Sequence, residues 1–145
     1  MSFRPLDVCV LDDLWRAYGT SFRHVESRLD ARTTCSLPQF MVLRSIVSSE
    51  FTMAPTDIAR ALGCSKSNVG KIVERLMHVG WIAKTRHPRD SRCVMLRLTP
   101  RGEEAYESGF AALTGAGHEL LAALDDERKL ALLALLQRIT GANLR

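Results

Sequence analysis

Residues 56–100 read TDIARALGCSKSNVGKIVERLMHVGWIAKTRHPRDSRCVMLRLTP, and this stretch decides the fold. Its first part holds two short helical patterns around a tight turn at Gly63. Ile58, Ala59 and Leu62 make the inner face of the first helix. Val69, Ile72, Val73, Leu76 and Met77 make that of the second, which ends before Gly80. Gly63 suits the close of the first helix, because glycine enters the left-handed region at little steric cost. Ser65 suits the cap of the second. Residues 82–86 and 93–98 then alternate as two strands of a hairpin do, around the basic tip HPRDSR of residues 87–92. Two helices across a tight turn, followed by a hairpin, predict a winged helix-turn-helix. That device lays its second helix in a DNA major groove with the hairpin beside it.

Outward from this centre the pattern is helical. Leu11, Leu14, Trp15, Tyr18, Phe22, Val25 and Leu29 recur at steps of three and four and predict a first helix over residues 6–29. Ser36 reads as an N-cap, with Pro38 in the first turn and Leu37, Phe40, Met41, Leu43, Ile46 and Val47 carrying a second helix. Residues 48–54 read as a connector. Thr99 and Pro100 start a long helix that reaches residue 124, with Tyr106, Phe110, Leu113, Leu120 and Leu121 on its apolar side. Gly109, Gly115 and Gly117 interrupt it and predict a bend or a close packing. Asp125 and Asp126 open the last helix, where acids suit the positive end of the helix dipole. Leu130, Leu133, Leu136 and Ile139 are expected to face inward there, with Leu132 and Leu135 widening the stripe. First and last helices this apolar predict packing against each other and against the same helices of a second subunit. The expected fold is therefore mainly α with a small β-hairpin. It is one domain over residues 1–145, with residues 37–100 as the DNA-binding part and residues 1–36 and 101–145 as dimerisation helices.

Charge separates the centre from the ends. Residues 60–101 carry ten Lys and Arg against only Glu74 and Asp90, whereas the rest of the chain carries ten basic and fourteen acidic residues. A basic middle between acidic ends is the footprint of a polyanion partner such as double-stranded DNA. No run of 18 apolar residues predicts a membrane span, and the N-terminus lacks the apolar core of a signal peptide, so a cytoplasmic location is expected. Cys9, Cys35, Cys64 and Cys93 form no C-x-x-C, and no histidine pair has metal-ligand spacing, so neither a metal nor a cofactor is expected. The chain carries no G-x-S-x-G, no H-E-x-x-H and no phosphate-binding glycine loop, so it does not read as an enzyme.

The second helix of the motif leaves Ser65, Lys66, Ser67, Asn68, Gly70, Lys71, Glu74 and Arg75 uncommitted to the core. Asn68 can pair with adenine, and Ser65 and Ser67 can bond bases or phosphates. Lys66, Lys71 and Arg75 suit phosphate contacts. The hairpin adds Arg86, His87, Arg89 and Arg92, and an arginine suits a narrow A·T-rich minor groove. Asp90, an acid in a loop that meets DNA, is expected to hold the Arg92 guanidinium by a paired hydrogen bond.

These residues resemble the MarR family of bacterial transcriptional regulators over nearly the whole chain. The pattern runs through LPQFMVL (37–43), TDIARALGCSKSNV (56–69), ERLMHVGWI (74–82), PRDSR (88–92) and LTPRG (98–102). The resemblance implies an obligate homodimer with one winged helix-turn-helix per subunit, on a pseudo-palindromic operator. It implies that Asp90 and Arg92 form the positioned minor-groove arginine of the wing. It also implies repression that ends when a small, often aromatic or phenolic, ligand binds between the dimer helices and the reading module. Two positions depart from the pattern. Gly70 stands where Thr or Ser is common, which removes a phosphate contact or lets the DNA backbone approach closely. Ser91 replaces a common basic residue.

For an effector, Trp15, Arg16, Tyr18, Phe22 and His24, with Phe40 and Arg44, are candidates to line a pocket for an aromatic anion. An aromatic stripe at helical spacing is more often core than a ligand site. A rival reading is thiol sensing, through Cys64 at the start of the reading helix or Cys9 at a dimer interface. A further alternative is a winged helix used for protein contacts, which would need no basic surplus in the middle of the chain.

Overall fold

A computed structural model describes residues 5–50, 52–87 and 89–141. Residues 1–4, part of the N-terminus expected to lack a signal peptide, and Pro88 of the hairpin tip lie outside the described residues. The chain runs α1 (Leu6–Arg32), α2 (Leu37–Ser48), β1 (Thr52–Met53), α3 (Pro55–Leu62), α4 (Lys66–His78), β2 (Ile82–His87), β3 (Asp90–Leu98), α5 (Pro100–Leu120) and α6 (Asp126–Thr140). Mostly helical, with one small antiparallel sheet of order β1-β3-β2, it has the expected fold class. Among the described residues no helix is long and apolar enough to cross a membrane.

Local chemistry sets most of the boundaries. Ser36 and Gln39 form a reciprocal capping box at the start of α2, and Glu26 of α1 accepts the Leu37 N–H at 2.6 Å. The first helix runs three residues past the expected end and stops at Thr33, whose N–H reaches Leu29 O at 2.7 Å. The connector over residues 48–54 needs correction, because Thr52 and Met53 pair with Arg97 and Leu96 of β3. A two-residue strand is too short to show any alternation. The hairpin strands are longer than the sequence implied, so the basic tip is largely built into them, with an irregularity between Arg86 and His87. α5 ends at Leu120 rather than near residue 124, because Asp125 must turn outward to cap α6 through the Arg128 N–H at 2.9 Å.

The core lies where α1, α2, α4, α5 and the sheet converge. Leu29, Phe40, Leu43, Ile46, Ile58, Leu76 and Leu96 are fully buried. Phe40 stacks on Tyr106 at 5.6 Å between ring centroids, and a Cβ on Gly109 would lie 2.5 Å from that ring. Gly109 is thus the close packing foreseen for α5, whereas Gly115 and Gly117 face open space. α1 lies along α5, tied by Glu119, which accepts from Arg28 at 2.6 Å and from His24 at 2.8 Å. Arg28, and after it His24, hold the Glu119 carboxyl below the usual carboxylate range.

The inward face expected for α6 is absent from the single chain: none of its residues is buried. Leu130, Leu132, Leu133, Leu135, Leu136 and Ile139 are all exposed, as are Leu6, Leu11, Trp15 and Tyr18 of α1. The apolar period is present on α6, but one chain supplies no surface for it to meet.

Candidate nucleic-acid interface

The reading element is assembled from short-range chemistry. Gly63 closes α3 in the left-handed conformation, at φ 62°, and its N–H turns back to Arg60 O. Two residues later Ser65 Oγ accepts the Asn68 N–H at 3.2 Å and starts α4. One lone pair of Ser65 is therefore committed to the cap, and its hydroxyl proton stays free to donate. Val69, Val73 and Leu76 anchor α4 in the core. Ser65, Lys66, Ser67, Asn68, Lys71 and Arg75 are all exposed. The structure thus brings all six onto one solvent-facing surface.

The hairpin stands beside this helix and adds exposed Arg86, Arg89 and Arg92, with half-buried His87. Among the described residues none of the cations of α4, β2 or β3 is paired with a carboxylate, whereas Arg60 on α3 is held by Asp57 at 2.8 Å. Unpaired cations in a row are free to meet an external anion.

Asp90 works differently from the expectation. Its Oδ1 accepts the backbone N–H of Arg92 at 3.0 Å, and its Oδ2 accepts the Cys93 thiol at 3.4 Å. It fixes the backbone from which Arg92 projects, not the guanidinium. An aspartate two residues before an amide closes an Asx turn, which is geometrically easier than a paired contact at that spacing.

A sequence profile of the MarR family matches residues 35–94, from the start of α2 into the wing. Over 91 residues the chain is 32% identical to the transcriptional repressor MprA of Escherichia coli, a match that covers 62% of this chain and 52% of MprA. Over residues 35–94 the chain matches the MarR family. It spans about half the length of the curated relatives it matches. The E. coli MarR mutant solved in complex with operator DNA superposes with a TM-score of 0.80 over 94% of this chain and 99% of that one, at 22% identity. Bordetella bronchiseptica BpsR, whose DNA binding is regulated by 6-hydroxynicotinic acid, gives 0.78 over 90% and 98%, at 23% identity. At such identities the likeness establishes the fold, which is that of MarR winged-helix proteins. The family is one of transcriptional regulators, not of enzymes.

Within this MarR-type frame the seven candidate effector residues do not converge in one chain. Phe40 is sealed in the core and His24 is held by Glu119. Arg44 opens into a separate cleft with Met41, Ser48 and Met53. Arg16 faces solvent beside Asp13, while Trp15, Tyr18 and half-buried Phe22 form a run of tilted rings along α1. Sequence reasoning missed a cleft of about 510 Å³ between the start of α2 and α4, lined by Ser36, Pro38, Gln39, Cys64, Asn68, Lys71, Ile72 and Arg75. Cys64 is exposed on this cleft and Cys9 is half-buried on α1. Buried Cys35 has its thiol pushed up to about 12 by desolvation and then by Glu26, so it stays protonated.

The bond to Arg92, and after it that to Cys93, holds the Asp90 carboxyl below the usual carboxylate range. A carboxylate with a depressed folded pKa orders its surroundings above the unfolded value and loses that hold as pH falls through the folded one. Amide-exchange protection of Arg92 should therefore be present at neutral pH and decline below about pH 4, the ordinary aspartate range. Protection that persists unchanged in acid would contradict the Asx turn.

Proposed function

We propose that this chain is a sequence-specific DNA-binding transcriptional regulator, a repressor that acts as a homodimer on a pseudo-palindromic operator. The observation that carries this is the row of exposed, unpaired polar and basic side chains on α4 beside a wing whose arginines are equally free. In this reading Ser67 and Asn68 meet base edges, and Ser65, Lys66, Lys71 and Arg75 position the helix on phosphates. Arg92, with its backbone set by Asp90, enters the minor groove, while Arg86, His87 and Arg89 flank it. Pairing of α1 and α6 with their copies would cover the apolar faces left bare in one chain. It would also place two reading helices about 34–36 Å apart, one turn of DNA.

Release by a small aromatic or phenolic ligand completes the proposal. Trp15, Tyr18 and Phe22 can line a pocket only once a second subunit covers α1. The cleft against α4 offers Lys71 and Arg75 to an anion directly.

The minor-groove role is tested by Arg92→Ala, compared on otherwise identical duplexes whose flanking steps are A·T-rich or G·C-rich. Binding should weaken most on the A·T-rich duplex, because the narrow groove there concentrates negative potential. An equal loss on both duplexes would make Arg92 a phosphate contact instead.

A further inference from the structure

A glycine can be required by a left-handed backbone or by a neighbour too close for a Cβ. Gly63, Gly80 and Gly141 have positive φ. Gly102 and Gly109 stand where a Cβ would strike Trp81 and Phe40. Gly19, Gly70, Gly115 and Gly117 have neither reason, and of these four Gly70 is the one that lies on α4, among the exposed polar residues of the candidate interface. It is the fifth residue of α4, it is not among the residues of positive φ, and a Cβ built on it would meet nothing within 4 Å. An alanine would fit there, and glycine in a helix interior is less stable than alanine. The fold alone favours a side chain at this position.

The surroundings show what the bare backbone faces. Gly70 lies one turn beyond Lys66 and Ser67, at the i+4 and i+3 spacings that place residues on one helix face. Both of those side chains are exposed. Gly70 itself is half-buried, at the margin of the exposed surface rather than at its middle, where Lys71 stands. When a helix lies in a groove its margin meets the groove wall, which is sugar and phosphate. Glu74, one turn further, is the first acid of α4 and bounds the anion-facing part of this edge to the first two turns.

We infer that Gly70 is the contact point at which the DNA sugar–phosphate backbone closes onto the reading helix, a positioning residue that lets α4 enter the groove more deeply than any side chain there would allow. The inference rests on the DNA-binding reading above and adds to it a steric requirement at one residue. Because a backbone wall is common to all sequences, Gly70 sets the depth of docking for every DNA and chooses no base.

The test uses the full chain, a duplex carrying the DNA immediately upstream of its gene, and a scrambled duplex of equal length and composition. Gly70→Ala and Gly70→Ser are compared with wild type by thermal melting and by fluorescence anisotropy. Gly70→Ala should melt a few degrees higher, since alanine is the better helix former. It should bind both duplexes about tenfold more weakly, a factor equivalent to about 1.4 kcal/mol. The salt dependence should keep its slope, since no charge has been removed. Gly70→Ser should lose affinity likewise, despite its added hydroxyl. Unchanged or tighter binding by Gly70→Ala overturns the assignment alone, and so does a loss confined to the upstream duplex, which would place Gly70 over bases. A wild-type chain that binds neither duplex overturns the DNA-binding reading with it.

Discussion

Gly102→Ala is expected to destabilise the fold by about 3 kcal/mol, the upper end of what overpacking a tight site costs. A Cβ at residue 102 would overlap the Trp81 carbonyl oxygen, and that oxygen has no freedom to retreat. It accepts the Thr99 N–H at 3.0 Å, while the Trp81 N–H is bound to Leu76 O at 2.9 Å. Thr99 adds two more ties, donating to Gly80 O at 2.6 Å and accepting the Gly102 N–H at 3.1 Å. The joint binds the end of α4, the wing and the start of α5, so moving any one of them breaks hydrogen bonds in the others. Thermal or urea denaturation followed by circular dichroism measures the loss. Gly115→Ala is the matched control, because its Cβ would enter open space on the same helix and should leave stability equal or higher. Equal melting of wild type and Gly102→Ala would show that the joint yields, contrary to this account.

The largest functional effect is expected from Leu135→Glu combined with Ile139→Glu. Leu135 is 59% and Ile139 64% exposed in the single chain, one turn apart on α6. Two carboxylates there cost the isolated subunit little, because nothing buried is disturbed. In a dimer that covers this face the same carboxylates would be desolvated without partners, which is strongly unfavourable. Sedimentation should find a dimer for wild type and a monomer for the double variant, with the helical circular dichroism of both alike. Operator affinity should fall by about 10²–10⁴, because each subunit then binds without the effective concentration supplied by its partner. A variant that remains dimeric would show that α6 lies outside the interface.

Much of this fold was legible because its decisive signals are local. Ser36, Ser65, Thr99 and Asp125 cap helices through bonds to residues three positions away, and Gly63 turns where a left-handed residue is required. Spacing alone reveals such features. What escaped reading depends on distant partners. β1 is defined only by Arg97 and Leu96 across the sheet. Phe40 suited both the apolar face of α2 and a ligand pocket by sequence, and Tyr106 and Gly109, far along the chain, decide for the core. The α6 leucines show the apolar side that periodicity reveals, but the surface it would meet, expected on a second subunit, is not supplied by the single chain. Within the interface, the exposed residues of α4 were legible as the complement of its core positions. The role of Asp90 was half legible: an acid held beside Arg92 was anticipated, but the choice of the backbone N–H over the guanidinium follows from turn geometry.

The central claim, that α4 and the wing form a DNA-reading surface, is tested most directly by the salt dependence of binding to the DNA upstream of this gene. Anisotropy titrations of the wild-type chain between about 50 and 200 mM salt supply it. Each neutralised phosphate contributes about −0.9 to the slope of log K against log salt. Lys66, Lys71 and Arg75 with the wing arginines, counted on two subunits, therefore predict a slope steeper than about −5. A nearly flat slope, or equal affinity for a neutral polymer, would contradict the account.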